Sequence, residues 1–320
     1  MYKITLIILS FYCFVTYSQE KAPKISEDTT KNWKLTSLYG ANGTQSSFVN
    51  WNAGGRNNIS ILAYFSGSAN YEKRKFKWVN DLDVSLGGLQ YIGKENGNEG
   101  LQKTDDKIEL STTIGQKLNK NEALYVSLLG GFKTQILDGF AYPNDSVRIS
   151  TWLAPGYLNC ALGVDYVPND NFTLFVSPFG SKFTIVNDTV LANAGAFGVQ
   201  AATYDGNGAL VTAGRKLRSE FGAYMKMSFN RELMKNIEMK STVELFSNYL
   251  DQRQNIDVNA DILFTFKVNN WFSASLNWTA IYDDDIQIQL SNGKVGPRFQ
   301  FKSVLGLGIS YTLRNYTETK

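Results

Sequence analysis

The run Asp283-Asp284-Asp285 is where residue type and spacing in this sequence suggest a chemistry of their own. Consecutive carboxylates, joined by backbone oxygens, suit a hard cation such as Ca²⁺ in a loop. The same run also reads as a solvated loop that holds no ion. A second acidic pair, Asp105-Asp106, sits between Lys103 and Lys107 and reads as ion pairing at a strand end. Beyond these the inventory is thin. The chain contains no histidine, so neither a serine–histidine nor an acid–histidine arrangement can be built for acyl transfer or general acid–base work. Carboxylate-only catalysis needs an isolated acidic pair in a site, and the sequence offers none. Gly-rich phosphate loops and zinc-ligand spacings are absent. A non-enzymatic protein is expected, with no cofactor unless Ca²⁺ occupies that loop.

Cysteine usage narrows the options further. Cys13 lies in an N-terminal segment that reads as a cleavable signal peptide over residues 1–18: Lys3 supplies the charge, Ile4 to Tyr17 the apolar core, and Ser18 a small residue at the cut. The apolar run is too short for a spanning helix. Bulky Phe11 and Tyr12 before Cys13 argue against lipid attachment. Cys160 is then alone, which rules out an internal disulfide, and it reads as an apolar residue on an outer strand face. A formal charge of +3 is too small to imply a nucleic-acid partner.

The elements that must position these residues are strands. From Ile256 to Val268 every second residue is apolar (Ile256, Val258, Ala260, Ile262, Phe264, Phe266, Val268), with Asp257, Asn259, Asp261, Leu263, Thr265 and Lys267 between them. A period of two puts the two sets on opposite faces. The same pattern predicts about 12 strands: 33–48, 59–71, 76–91, 107–118, 123–134, 157–166, 172–183, 217–230, 237–250, 256–268, 271–282 and 299–313. The breaks between them alternate between tight turns, such as Pro168 to Asn171, and long excursions, such as Asn187 to Lys216; Asp251 to Asn255 is a shorter exception. Short turns on one rim and long loops on the other are the pattern of an outer-membrane β-barrel. The fold expectation is therefore all-β: a transmembrane antiparallel up-and-down barrel over residues 33–320, with short periplasmic turns and long extracellular loops. Residues 19–32 read as a polar periplasmic leader. Aromatics such as Trp33, Tyr71, Trp78, Trp271 and Tyr282 fall near strand ends, where interface girdles belong.

Opposite the lipid face the alternation predicts a lumen wall of mixed charge: Glu109, Lys117, Lys133, Asp165, Glu220, Lys226, Glu238, Lys240, Glu244, Asp257, Asp261, Lys267 and Lys302. Such a wall either holds water or is knitted shut by cross-strand ion pairs.

Several short motifs resemble an uncharacterised family of Bacteroidota, the domain-of-unknown-function 3078 family. They are the segment from Trp51 through Gly54 and Gly55 to Asn57, Lys103-Thr104-Asp105-Asp106-Lys107, Thr134-Gln135 with Gly139, Ala154-Pro155-Gly156-Tyr157, Ser177-Pro178 and Tyr282-Asp283-Asp284, in order over nearly the whole mature chain. Read by itself, Trp51 with Gly54-Gly55 is a tight hairpin turn beside an interface tryptophan. The resemblance implies a cell-envelope or outer-membrane location and brings no catalytic residues. Two functions remain open at this stage. One is a narrow diffusion channel or transport-related pore for a small solute. The other is a closed barrel that binds an envelope protein partner through its outer loops. In both, outer-membrane lipid surrounds the wall.

Overall fold

Twelve segments pair edge to edge in the computed structural model of the chain, which describes residues 32–47, 57–92, 100–118, 123–142, 144–251, 253–286, 288–289 and 295–316. The expected signal peptide, the leader up to residue 31, and Trp51, Gly54 and Gly55 of the family-like motif lie outside the described residues; Asn57 lies inside them. The strands are β1 (Trp33–Ser46), β2 (Asn58–Lys73), β3 (Phe76–Tyr91), β4 (Gln102–Lys117), β5 (Leu124–Thr134), β6 (Gly156–Asn169), β7 (Phe172–Ile185), β8 (Leu217–Met234), β9 (Ile237–Asn248), β10 (Asp257–Lys267), β11 (Phe272–Tyr282) and β12 (Gln300–Arg314). Each pairs antiparallel with its neighbours in sequence. β12 returns to β1, from Thr36↔Arg314 to Gly43↔Leu307, and closes the ring. The chain forms an all-β, closed, antiparallel up-and-down barrel.

All the expected strands are found, with shifted ends. β4 begins at Gln102 rather than Lys107, because a bulge at Gly87-Gly88 lets Lys103 and Gln102 continue the β3 ladder. β8 runs on to Met234, which pairs with Ile237. Three of the tight turns among the described residues owe their shape to asparagine. Asn169 Oδ1 accepts from the Asn171 amide at 2.9 Å, and Asn269 Oδ1 accepts from the Trp271 and Phe272 amides at 2.9 and 2.7 Å. Asn236 takes the left-handed conformation, φ 69°, that asparagine tolerates. In an antiparallel ring, alternate connections share a rim, so all the short turns lie together and the long loops lie opposite. The closing seam lies at the short-turn rim, where Asn315 Oδ1 accepts from the Leu35 amide at 2.8 Å and the Asn315 amide donates to the Leu35 carbonyl at 3.2 Å.

The two faces of the wall differ as the alternation requires. Large apolar side chains point away from the barrel axis and are exposed, among them Leu110, Ile114, Leu158, Leu162, Phe179, Phe301, Leu305 and Ile309. Cys160 is exposed on the same face. At the short-turn rim Trp33 meets Tyr71 and Trp78, with ring centroids 5.1 and 5.7 Å apart. Inside, a buried cluster of Leu129, Ala161, Phe175, Tyr224 and Phe246 fills the barrel between β5 and β9. A bulge at Ser177-Pro178 accommodates the proline, which has no amide to give a ladder. The Ser177 hydroxyl takes up the slack there, donating to the Leu162 carbonyl at 2.7 Å and accepting from the Phe179 amide at 3.0 Å.

The loops on the long rim have their own core. Helix α1 (Thr189–Asn193), capped by Asp188, packs Leu191 and Ala192 against Ala154, Val186 and Val199. Arg148, on a small hairpin (Gly139–Ala141 with Asn144–Ser150), ion-pairs with Asp188. Two long loops are thereby tied to each other above β5–β8.

Candidate functional site

The lumen is the candidate site, and its charged residues are the ones that alternation turns inward. Their contacts prove which face this is, because several join strands on opposite sides of the ring. Lys240 of β9 lies 3.8 Å from Asp83 of β3, Lys302 of β12 lies 3.2 Å from Asp105 of β4, and Lys77 of β3 pairs with Asp165 of β6. The remaining expected wall charges pair closer to home. Glu109 lies between Lys107 at 3.3 Å and Lys133 at 3.8 Å. Lys226 pairs with Glu244 at 3.3 Å, Lys267 pairs with Glu238, and the Thr279 hydroxyl donates to Asp261 at 2.7 Å. Lys117 stacks its ammonium 5.5 Å over the Tyr125 ring, where Lys77 also lies at 4.1 Å.

This network divides the lumen. On the β5–β9 side the aromatic cluster and the buried Lys77, Asp165 and Tyr125 fill much of the space and leave a cavity of about 160 Å³. On the side of β1–β4 and β10–β12 a cavity of about 520 Å³ remains, lined by Asn42, Tyr64, Ser85, Lys133, Asp261, Ser275, Asn277 and Lys302 among others. Gly40 makes room for the Tyr64 ring on that wall: a Cβ there would lie 2.0 Å from it. A second cavity of about 210 Å³ shares Asp83, Lys107, Lys240, Asp261, Leu263 and Asn277 with the first and extends to Ser228 and Asn230 near the short turns. The first reaches Gln135 and Gln300 at the long-loop rim. The two spaces thus meet at the Lys240–Asp83 pair.

Of the acidic run, Asp283 and Asp284 lie together and Asp285 turns away. Asp285 ion-pairs with Arg218, Asp283 accepts from Lys182 at 3.0 Å, and Asp284 accepts from the Asn255 side chain at 2.6 Å. The residue that joins Asp283 and Asp284 is Asp257, from the start of β10; oxygens of these three lie within 4.8 Å of one another. Strand register, invisible in the sequence run, brings Asp257 there.

The strand-end pairing expected around Asp105-Asp106 is only partly local. Lys103 donates to Asp106 at 3.0 Å, to Gln135 at 2.8 Å and to the Leu137 carbonyl at 2.9 Å. Asp106 also accepts from the Ile136 and Leu137 amides at 2.9 and 2.8 Å. Asp105 and Lys107 instead face the lumen. Thr134 donates to the Pro155 carbonyl at 2.9 Å. The family-like motifs from Lys103 to Tyr157 therefore meet at one junction, where the β5–β6 loop is fastened to the rim.

Sequence reasoning missed several inward charges: Lys77, Asp81, Asp83, Lys182 and Arg218. The signal for two of them was present, since Asp81 and Asp83 alternate with Leu82 and Val84. Lys182 and Arg218 also pair with Glu220, but their shortest contacts are with Asp257 and Asp285, more than 60 positions away.

The model of a family described as "Protein of unknown function (DUF3078)" matches residues 44–140. The chain resembles that family. The match covers the end of β1 and β2–β5 rather than nearly the whole mature chain, and residues 179–292 match a different model, "Protein of unknown function, DUF481". No curated protein sequence matches. Among solved structures, the chain is similar to the translocator domain of autotransporter NalP from Neisseria meningitidis, with 10% identity, TM-score 0.35 and 95% of each chain covered. It is also similar to the COG4313 outer membrane channel from Pseudomonas putida F1, with 11% identity, TM-score 0.37, and 92% of this chain and 100% of that one covered. The NanC porin gives 7% identity and TM-score 0.36, with 87% and 100% covered. At such scores the barrel assignment rests on the chain's own strand register.

Proposed function

We propose that this chain is a non-enzymatic outer-membrane β-barrel that provides a narrow, charge-mixed passage for small polar solutes. The membrane part of the reading is supported by the outward face. A water-soluble protein rarely exposes a continuous apolar surface of this extent, whereas a barrel wall in lipid requires one, bordered by aromatic rims. A closed ring leaves no strand edge with unpaired backbone groups, the condition for crossing lipid with strands. The residues at 1–18 support export by a cleavable signal peptide, and short turns would then face the periplasm.

The observation that favours a passage over a plug is the pair of adjoining cavities that share Asp83, Lys107, Lys240 and Asp261, charged groups set among apolar ones. Asn159 and Asn259, on the wall of a neighbouring cavity of about 160 Å³, each have a side-chain carbonyl without a protein partner, and water or solute would satisfy these groups. A closed interaction barrel is the second reading, favoured by the aromatic filling between β5 and β9 and by the tied outer loops. Liposome swelling with solutes of graded size separates the two. The first reading expects entry of the smallest neutral and zwitterionic solutes and exclusion of larger ones; no entry of any solute favours the second. The membrane assignment is checked by gel mobility of detergent samples, with the unheated protein expected to migrate differently from the boiled one. An unchanged band together with extraction into aqueous buffer would contradict it.

A further inference from the structure

The cavity of about 160 Å³ on the β5–β9 side is built on the aromatic cluster: Leu129, Ala161, Tyr224 and Phe246 line it, together with Ile281 of β11. A wholly apolar cavity of roughly 150 Å³ holds a six-membered ring such as benzene. This wall is not wholly apolar. Asn159 of β6 and Asn259 of β10 line it as well, and the Oδ1 atom of each is buried without a hydrogen-bond partner among the described residues. A buried carbonyl left without a donor is costly, so a well-matched occupant brings N–H or O–H groups to both.

Charge narrows the occupant further. Each carboxylate on the wall already has a lysine: Glu109 lies 3.8 Å from Lys133, Glu244 3.3 Å from Lys226, and Asp257 and Asp283 2.7 and 3.0 Å from Lys182. A ligand bearing an ammonium group would donate to the two carbonyls but would meet three lysines in the same space. One bearing a carboxylate would set acceptor against acceptor at the asparagines and charge against charge at Glu109 and Glu244. A hydroxyl both donates and accepts. A neutral polyol therefore satisfies carbonyls, ammonium groups and carboxylates together and leaves the ion pairs in place. Its C–H faces suit Leu129, Tyr224 and Phe246, the usual division of a ligand pocket between an apolar wall and a few placed polar groups.

We infer that this cavity is a binding pocket for a neutral ring polyol of monosaccharide size, with Asn159 and Asn259 accepting from its hydroxyls. The pocket shares Lys133, Tyr157 and Ile281 with the cavity of about 520 Å³, and Glu109, Lys226, Glu244 and Asn259 with the one that extends toward the short turns. It adjoins the proposed passage and rests on that reading for the route by which solute arrives. The test is D-glucose titrated calorimetrically into the full-length, detergent-folded protein, beside D-glucosamine (below neutral pH, where its amine is charged) and D-glucuronate. Saturable binding of glucose is expected, with both charged sugars weaker. N159L and N259L should each weaken glucose roughly fivefold, the ordinary worth of a neutral hydrogen bond. N207L, in the exposed hairpin Thr203–Tyr204 with Leu210–Thr212, leaves binding unchanged. At ordinary ligand efficiency a ring of about twelve non-hydrogen atoms binds in the millimolar range, so a titration that does not saturate by ~50 mM overturns the pocket. Equal affinity for the three sugars overturns it too, as does affinity that both asparagine variants, shown folded by gel mobility, leave unaltered. Glucose binding by a protein that admits no solute in the swelling assay removes the passage and keeps the pocket; solute entry without saturable binding does the reverse.

Discussion

Lys77 and Asp165 illustrate what individual residues contribute inside this barrel. Both are buried and paired with each other, and Lys77 also lies over the Tyr125 ring. Removing only the cation strands a buried carboxylate, which costs about 3–5 kcal/mol, whereas replacing both partners by apolar groups costs far less. K77M should therefore lower the stability read from urea unfolding in detergent or liposomes by that amount, and K77M with D165L should recover most of it. Equal losses in the two proteins would show that the pair contributes nothing as a pair. On the outside, Asp138 accepts from the Thr151 hydroxyl and pairs with Arg148, and these contacts, the Thr151 bond first, hold its carboxyl below the ordinary aspartate range. Its folded pKa lies below its unfolded one, so the loop contact is fully present above the unfolded value and is lost as pH falls through the folded value. The Thr151 amide resonance should titrate with a midpoint under the usual aspartate value, and D138N should abolish that titration.

Among the elements, strands were legible and loops were not. Alternation survives in the sequence because each strand meets an apolar medium on one face and the lumen on the other. That is why Asp257, Asp261 and Lys267 could be placed inward from β10 alone. The loops have no such period. Their order comes from contacts such as Lys103 with Asp106, Gln135 and Leu137, or α1 against Val186 and Ala154, and these depend on register and closure. The acidic run is visible because its residues are adjacent; of the three, Asp283 and Asp284 lie together, and β10 register brings Asp257 to them. Asp106 offers the sharpest test at this scale. It takes two loop amides and a lysine, so D106A should free the loop over residues 135–155, with local opening roughly 5- to 150-fold more frequent for a loss of about 1–3 kcal/mol. Hydrogen exchange of Ile136 and Leu137 should rise accordingly while β4 and β5 stay protected; unchanged exchange would remove the fastening role.

For the whole molecule, ring closure, wall polarity and partial filling act together. Twelve strands enclose more space than side chains fill unaided, and fewer than an open porin uses. Here aromatic residues occupy one side and ion pairs cross the other, and the proposed passage runs past Lys240 and Asp83, which line both of the larger cavities. Planar-bilayer recording of the refolded protein, wild type against D83A with K240A, tests the passage most directly. Small, discrete conductance steps are expected from the wild type and larger ones from the double variant. Silence from both proteins, each shown to be folded by its gel mobility, would contradict the passage and leave the closed barrel.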